Sequence, residues 1–157
     1  MTSEASYRLG VGAVLINRHN QIFVAQRIDT PGAWQMPQGG IDKNEDPRKT
    51  VMRELAEEIG TDHAEIIAET KNWLIYDLPK KVRKKVWGGK YKGQKQKWFA
   101  LRFTGVDSDI DLTADKHPEF NEWKWVPITQ LIKLAVPFKL SLYENIVREF
   151  EYLLKIK

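Results

Sequence analysis

Between Gly39 and Gly60 the chain carries a fixed array: Gly39, five residues, Glu45, seven residues, then Arg53-Glu54-Leu55-Ala56-Glu57-Glu58-Ile59-Gly60. A given window meets the seven fixed positions among these, Gly39, Glu45, Arg53, Glu54, Glu57, Glu58 and Gly60, by chance on the order of once in 10⁸ to 10⁹ at ordinary residue frequencies. The segment from Pro47 to Ile59 reads as a helix, with proline in its first turn and Gly60 just past its end. At about 100° per residue, Glu58 falls near roughly 40° and Glu57 near roughly −60° from Glu54. Three carboxylates therefore share one arc. Val51, Met52, Leu55 and Ile59 form an apolar stripe beside it, and Arg53 borders the other flank one turn before Glu57. One edge of the helix can bury while the next concentrates negative charge. The plain alternative is a solvated acidic face with an i,i+4 ion pair, but that leaves the spacing of Gly39, Glu45 and Gly60 unexplained. Clustered carboxylates repel unless a cation neutralises them, and hard oxygen ligands favour a divalent metal such as magnesium or manganese.

Around this helix the rest of the chain reads as strands and short helices. Tyr7–Asn17 and Gln21–Gln26 are expected strands, followed by a loop at Asp29–Ala33 that contains Pro31 and Gly32. Further strands are expected over Glu65–Asp77, Trp98–Thr104 and Glu122–Val126, and a short helix over Pro127–Leu134. A last helix is expected to start with a capping box, Ser141 to Glu144, and to pack through Leu142, Ile146, Phe150, Leu153 and Leu154. The expected class is α+β, a mixed β-sheet flanked by helices, in one domain spanning residues 1–157. Gly10-Val11-Gly12 is no dinucleotide fingerprint: Leu15 stands where a third glycine belongs, and the segment reads as strand.

The 157 residues contain no cysteine, which excludes disulfides, thiolate metal sites and a cysteine nucleophile. No apolar run reaches the length of a membrane span, and the polar stretch from Met1 to Tyr7 has no signal-peptide core. A cytoplasmic protein without a membrane partner is expected; no stable protein partner is implied. The net charge of +4 conceals an asymmetry. Nine of the 25 basic residues lie between Lys80 and Lys97 with no acidic residue among them, which leaves 16 basic against 21 acidic elsewhere, a net −5. The partner that suits such a segment is a polyanion.

The array from Gly39 to Gly60 resembles the signature of the Nudix hydrolases, and the chain is similar to their bacterial RNA pyrophosphohydrolase and plant-type diadenosine tetraphosphate hydrolase branches. Outside the signature the resemblance rests on Tyr7-Arg8, on Trp34-Gln35-Met36-Pro37-Gln38-Gly39-Gly40, on Asn72-Trp73-Leu74 with Tyr76, and on Gly93-Gln94-Lys95-Gln96-Lys97-Trp98-Phe99. It continues through Pro118-Glu119-Phe120, Trp123-Lys124-Trp125-Val126 and Phe138-Lys139. Only Thr61, where the family usually has an aliphatic residue, departs from the signature, and there packing rather than catalysis is at stake.

The resemblance implies an α/β/α sandwich of the Nudix fold and a set of roles. Glu54, Glu57, Glu58 and Glu119 would hold the metal with the backbone carbonyl of Gln38, and Arg53 joins these glutamates in the catalytic set. Arg27 and Phe138 would hold the first bases of an RNA, with Lys139 beside them. Arg8, Lys95 and Lys97 would meet phosphates, and Tyr76 would shape the nucleotide pocket. Each has a plainer reading: Glu119 as a surface loop residue, Phe138 as core, Lys95 and Lys97 as a solvated strand face. Trp34, Trp73, Trp98, Trp123 and Trp125 read as core, and His19, His63 and His117 as surface residues.

The resemblance further implies metal-dependent hydrolysis of the 5′-triphosphate end of RNA to a 5′-monophosphate. Water activated by metal and a glutamate (Glu54, Glu57 or Glu119) would attack phosphorus without a covalent intermediate. A dinucleoside polyphosphate such as diadenosine tetraphosphate is the alternative substrate. A catalytically silent RNA-binding module is a third reading, against which the intact Glu45, Glu54, Glu57 and Glu58 argue.

Overall fold

The computed structural model describes residues 7–154; residues 1–6 and 155–157, with the polar N-terminal stretch, lie outside the described residues. An eight-stranded mixed sheet runs β3 (Trp34–Gln35), β2 (Ile22–Arg27), β1 (Tyr7–Ile16), β7 (Gly93–Phe103) and β5 (Ala64–Glu69). Strands β4 (Gln38–Gly40), β6 (Leu74–Asp77) and β8 (Phe120–Val126) pair with β1, β7 and β2 respectively. At its centre β1 and β7 pair in parallel, from Tyr7 opposite Gly93 to Ile16 opposite Arg102; the remaining pairs are antiparallel.

Alternation along the strands divides the core into two layers. Val11, Ala13, Leu15, Phe23, Phe99 and Leu101 pack on Val51, Leu55 and Ile59 of α1 (Pro47–Ile59). Val14, Ile16, Ile22, Val24, Trp98 and Ala100 face the other way, onto Leu142, Tyr143, Ile146 and Phe150 of α4 (Leu140–Phe150). The sheet between helices is the expected α/β/α sandwich. Two one-turn helices, α2 (Lys80–Arg83) and α3 (Leu131–Leu134), complete the set.

The helix α1 has the predicted ends. Pro47 opens it, and Gly60 closes it at φ 78° while donating its N–H to the Ala56 carbonyl at 3.1 Å. A Cβ at position 60 would lie 2.6 Å from the Asp111 carbonyl oxygen, so glycine is required twice over. Thr61 is buried, and its hydroxyl accepts the His63 N–H at 3.1 Å, a packing role as expected.

Four expectations need correction. The span Glu65–Asp77 is two strands, because the buried Thr70 leaves the ladder and binds Trp98 through its own N–H and its hydroxyl. The strand expected from Trp98 begins at Gly93, since its first turns alternate lysine with buried Gln94 and Gln96 and carry no apolar signal. Two short strands, β3 and β4, lie in a segment with no strand-like pattern. Finally, no capping box forms at Ser141. A 3₁₀ turn at Pro137–Lys139 runs straight into α4 at Leu140, so the helix start is supplied by backbone and Ser141 lies within it.

Candidate functional site

Strand β4 is held against β1 with Gly39 opposite Val11 and Gly40 opposite Gly10, and it carries no side chain at either glycine. The gap at Gly39 is filled by Glu54, whose carboxylate rests on the strand backbone. One turn on, Glu58 is buried and accepts the Gln38 N–H at 3.1 Å. Glu119, exposed just before β8, adds its negative charge to both. It is drawn there by the Ile28 N–H, which binds its carbonyl at 2.9 Å.

The electrostatics follow from this placement. Burial, reinforced by the charges of Glu57 and Glu119 and opposed by Arg53, lifts the Glu54 carboxyl to about 7. Burial pushes Glu58 well above the carboxylate range, with Glu119 and Glu54 adding to it. Carboxylates that burial and mutual repulsion hold this close to neutrality are groups that a cation would stabilise in the charged form. The donors are hard oxygens, so the residues fit a divalent metal. Among the described residues no three such side chains already close round one point. Arg53 explains why: its Nη1 donates to Glu54 and Glu57 at 3.1 and 3.0 Å and draws both carboxylates toward itself.

Arg53 also explains Glu45, a signature residue for which the sequence offers no role. Glu45 accepts from Arg53 Nε at 2.8 Å and Nη2 at 2.9 Å, and it takes the Asp42 N–H at 3.1 Å. The same guanidinium reaches the Gly40 carbonyl at 3.1 Å. The hydrogen bond from Arg53 drives Glu45 down to about 2, so Glu45 is a permanent anion that fixes Arg53, which in turn fixes the two helix carboxylates. This fork geometry is specific to arginine.

Beside the carboxylates lies a cationic and aromatic wall. Arg27 is gripped by Asp29 through Nε at 2.8 Å and Nη2 at 2.6 Å, with Glu119 and Glu58 close enough to raise its basicity further. Lys139 is buried, 3.4 Å from Gln38 Oε1 and 5.5 Å from the Tyr76 ring centroid. Burial, with Arg27 adding to it and Glu58 opposing, lowers the ammonium to about 8. Phe138 is half-buried, packing on the α4-side core with its ring 6.1 Å from Tyr76. Tyr76 is buried and accepts the Gln94 amide at 2.8 Å.

Of the residues singled out from sequence, Gln38, Arg53, Glu54, Glu57, Glu58, Glu119, Arg27, Tyr76, Phe138 and Lys139 thus gather about β4. Arg8 fills the space left by Gly40, on the face of the sheet that carries Tyr76 and opposite the face against which Glu54 lies. Lys95 and Lys97 face the α1 layer instead, and Lys97 is engaged by Glu69 at 3.6 Å and by the Lys71 carbonyl at 3.4 Å. Trp98 is core, whereas Trp34, Trp73, Trp123 and Trp125 are only partly buried; the three histidines are exposed. Gly12 is a strand residue with a packing duty, since a Cβ there would overlap the Trp98 ring.

The NUDIX domain family model matches residues 6–146. The chain belongs to the NUDIX family. It is 57% identical over 143 residues to the RNA pyrophosphohydrolase of Rhodospirillum rubrum, covering 91% of this chain and 86% of that protein. It is 51% identical over 149 residues to the chloroplastic Nudix hydrolase 26 of Arabidopsis thaliana, covering 92% of this chain and 69% of that one. In fold it is similar to a Caenorhabditis elegans Ap4A hydrolase solved as a binary complex, with a TM-score of 0.68 at 22% identity over 94% of this chain and 97% of that one. Nudix hydrolases generally need a divalent metal, which the hard oxygen donors around Gly39 fit. No helix among the described residues is long and apolar enough to cross a membrane.

Proposed function

We propose that this Nudix chain is an RNA 5′-pyrophosphohydrolase, acting in the cytoplasm where transcripts carry 5′-triphosphates. The observation that carries the reading is the close relative at 57% identity that bears this name, matched over most of both chains. The geometry is compatible with it: the carboxylate edge of α1 lies beside a cationic and aromatic wall of Arg27, Lys139, Tyr76 and Phe138.

In this reading Glu54, Glu57, Glu58, Glu119 and the Gln38 carbonyl hold magnesium or manganese, which would screen the phosphate charge and make the attacking water more acidic. Arg53 keeps Glu54 and Glu57 on the side from which water approaches. Arg27, Tyr76 and Phe138 receive the first nucleotides, by charge and by stacking. Lys139, with its ammonium near 8, supplies positive charge beside Gln38. Water adds to a phosphorus of the triphosphate, the anhydride bond to the leaving group breaks, and the proton of water passes to a carboxylate. Loss of pyrophosphate, or of two phosphates in turn, leaves a 5′-monophosphate RNA.

The basic stretch adds a track for the RNA beyond its end. It is the loop between β6 and β7, closed by the Leu78 N–H to the Lys92 carbonyl at 2.7 Å, and Lys80, Lys81, Lys84, Lys85 and Lys90 are exposed on it. A competition assay tests the assignment, with triphosphorylated RNA and diadenosine tetraphosphate at equal concentration and products separated by chromatography. Preferential RNA turnover is expected; preferential cleavage of the dinucleotide overturns it.

A further inference from the structure

One aromatic side chain of the basic loop packs against Arg8 of β1. Trp87 stands at φ 48°, followed by Gly88 at 67° and Gly89 at 72°. Left-handed backbone is routine for the two glycines and strained for a bulky residue. Such a conformation persists where the surroundings fix the side chain. Here the fixing partner is Arg8, whose guanidinium carbon lies 4.8 Å from the Trp87 ring centroid. Tyr91 meets the ring edge-on at 5.9 Å.

Arg8 is confined on its other side by Gly40, where any Cβ would overlap the guanidinium. Among the described residues Arg8 has no carboxylate partner within 4.0 Å, whereas Arg27 and Arg48 each have one and Arg53 has four. The strand register sets Arg8, Gln94 and Tyr76 side by side across β1, β7 and β6 on one face of the sheet, and the charge of Arg8 is felt at the Tyr76 hydroxyl. A guanidinium sandwiched between a glycine strand and an indole, with no hydrogen-bond acceptor on its N–H edge among the described residues, suits a phosphate oxygen.

We propose that Trp87 is a positioning residue of the substrate site, holding Arg8 against Gly40 so that its N–H edge meets a substrate phosphate. The basic loop thereby contributes to the phosphate slot itself as well as to the track beyond it. This rests on the reading of the chain as a nucleotide polyphosphate hydrolase, with RNA preferred.

The test is a double-mutant cycle of Trp87→Ala and Arg8→Ala, with Trp87→Phe as the conservative variant, on triphosphorylated RNA and on diadenosine tetraphosphate. Trp87→Ala should raise KM about tenfold on both substrates and change kcat less than about twofold. Trp87→Phe should restore most of the loss, and in the Arg8→Ala background Trp87→Ala should add less than about twofold. An unchanged KM, an equal rise in the Arg8→Ala background, or a fall in kcat and melting temperature at constant KM each overturns the proposal. Should the enzyme cleave only the dinucleotide, the RNA assignment fails while the dinucleotide series still decides the role of Trp87.

Discussion

The carboxylate of Glu54 rests on Gly39 so closely that a Cβ at position 39 would come within 2.0 Å of it. Gly39→Ala should therefore displace Glu54 from β4 while leaving both core layers intact. Turnover is expected to fall about a hundredfold, since misplacing a reacting group by about 1 Å has that scale of effect. Circular dichroism should be unchanged. A folded Gly39→Ala enzyme with wild-type turnover would show that the close approach does not matter for catalysis.

Glu54→Gln and Glu58→Gln should each abolish hydrolysis and leave the fold in place. Removing a charge from a repelling, buried set should keep or raise the melting temperature of the metal-free protein. Retention of more than about a tenth of the activity, or about 1.4 kcal/mol of barrier, would remove that residue from the metal-binding set.

Metal-free stability should depend on pH in a defined direction. Glu54 is raised to about 7 and Glu58 is raised well above its ordinary value, both first by burial. In each case the folded state holds its proton more tightly than the unfolded state. Their stabilising contribution is complete below the unfolded value of about 4.5 and is lost as pH rises through the folded values. Glu45, lowered to about 2, acts only in acid below this window, and Lys139, lowered to about 8, acts only above it. The melting temperature in chelator should fall by several degrees from pH 5 to pH 7.5, and excess magnesium should reverse the fall. A flat profile in chelator would contradict the electrostatic account of the cluster.

Neutralising Lys84, Lys85, Lys90 and Lys92 together should flatten the salt dependence of RNA binding. The slope of log affinity against log salt is about −0.7 per phosphate neutralised on a single strand. Diadenosine tetraphosphate, which has no chain continuing past the site, should be hydrolysed almost as before. Equal RNA slopes for the wild type and the fourfold variant would leave the loop a solvated connection between β6 and β7.

The parts of this fold that were legible in sequence are those where covalent chemistry or periodicity sets the outcome locally. The ends of α1 follow from Pro47 and Gly60, and its carboxylate arc from the helical repeat alone. The start of β7 was not legible, because Gln94 and Gln96 are buried polar residues and alternation of lysine with glutamine imitates a solvated strand. The start of α4 is also hidden, because a capping pattern at Ser141 cannot show that a 3₁₀ turn will run into the helix. In the site, the shared arc of Glu54, Glu57 and Glu58 follows from spacing, whereas Glu119 is named only by the family resemblance, and the duty of Glu45 depends on a bond across seven intervening residues to Arg53. Likewise Trp87 has no sequence signal: only folding brings it to Arg8, 79 positions earlier in the chain.

The parallel pairing of β1 with β7 bears on how the enzyme comes into being. The glycines of β4 are held by β1, and β1 is held centrally by a strand that begins at residue 93. A nascent chain that has emerged only as far as Gly60 already contains every signature residue, yet lacks the partner that secures their platform. Long-range parallel pairing of this kind is slow to form, because distant segments must first be brought together at an entropic cost. The order of synthesis thus delays the assembly of the hydrolytic centre until β7 has been made, and a truncated product ending before it would be inert.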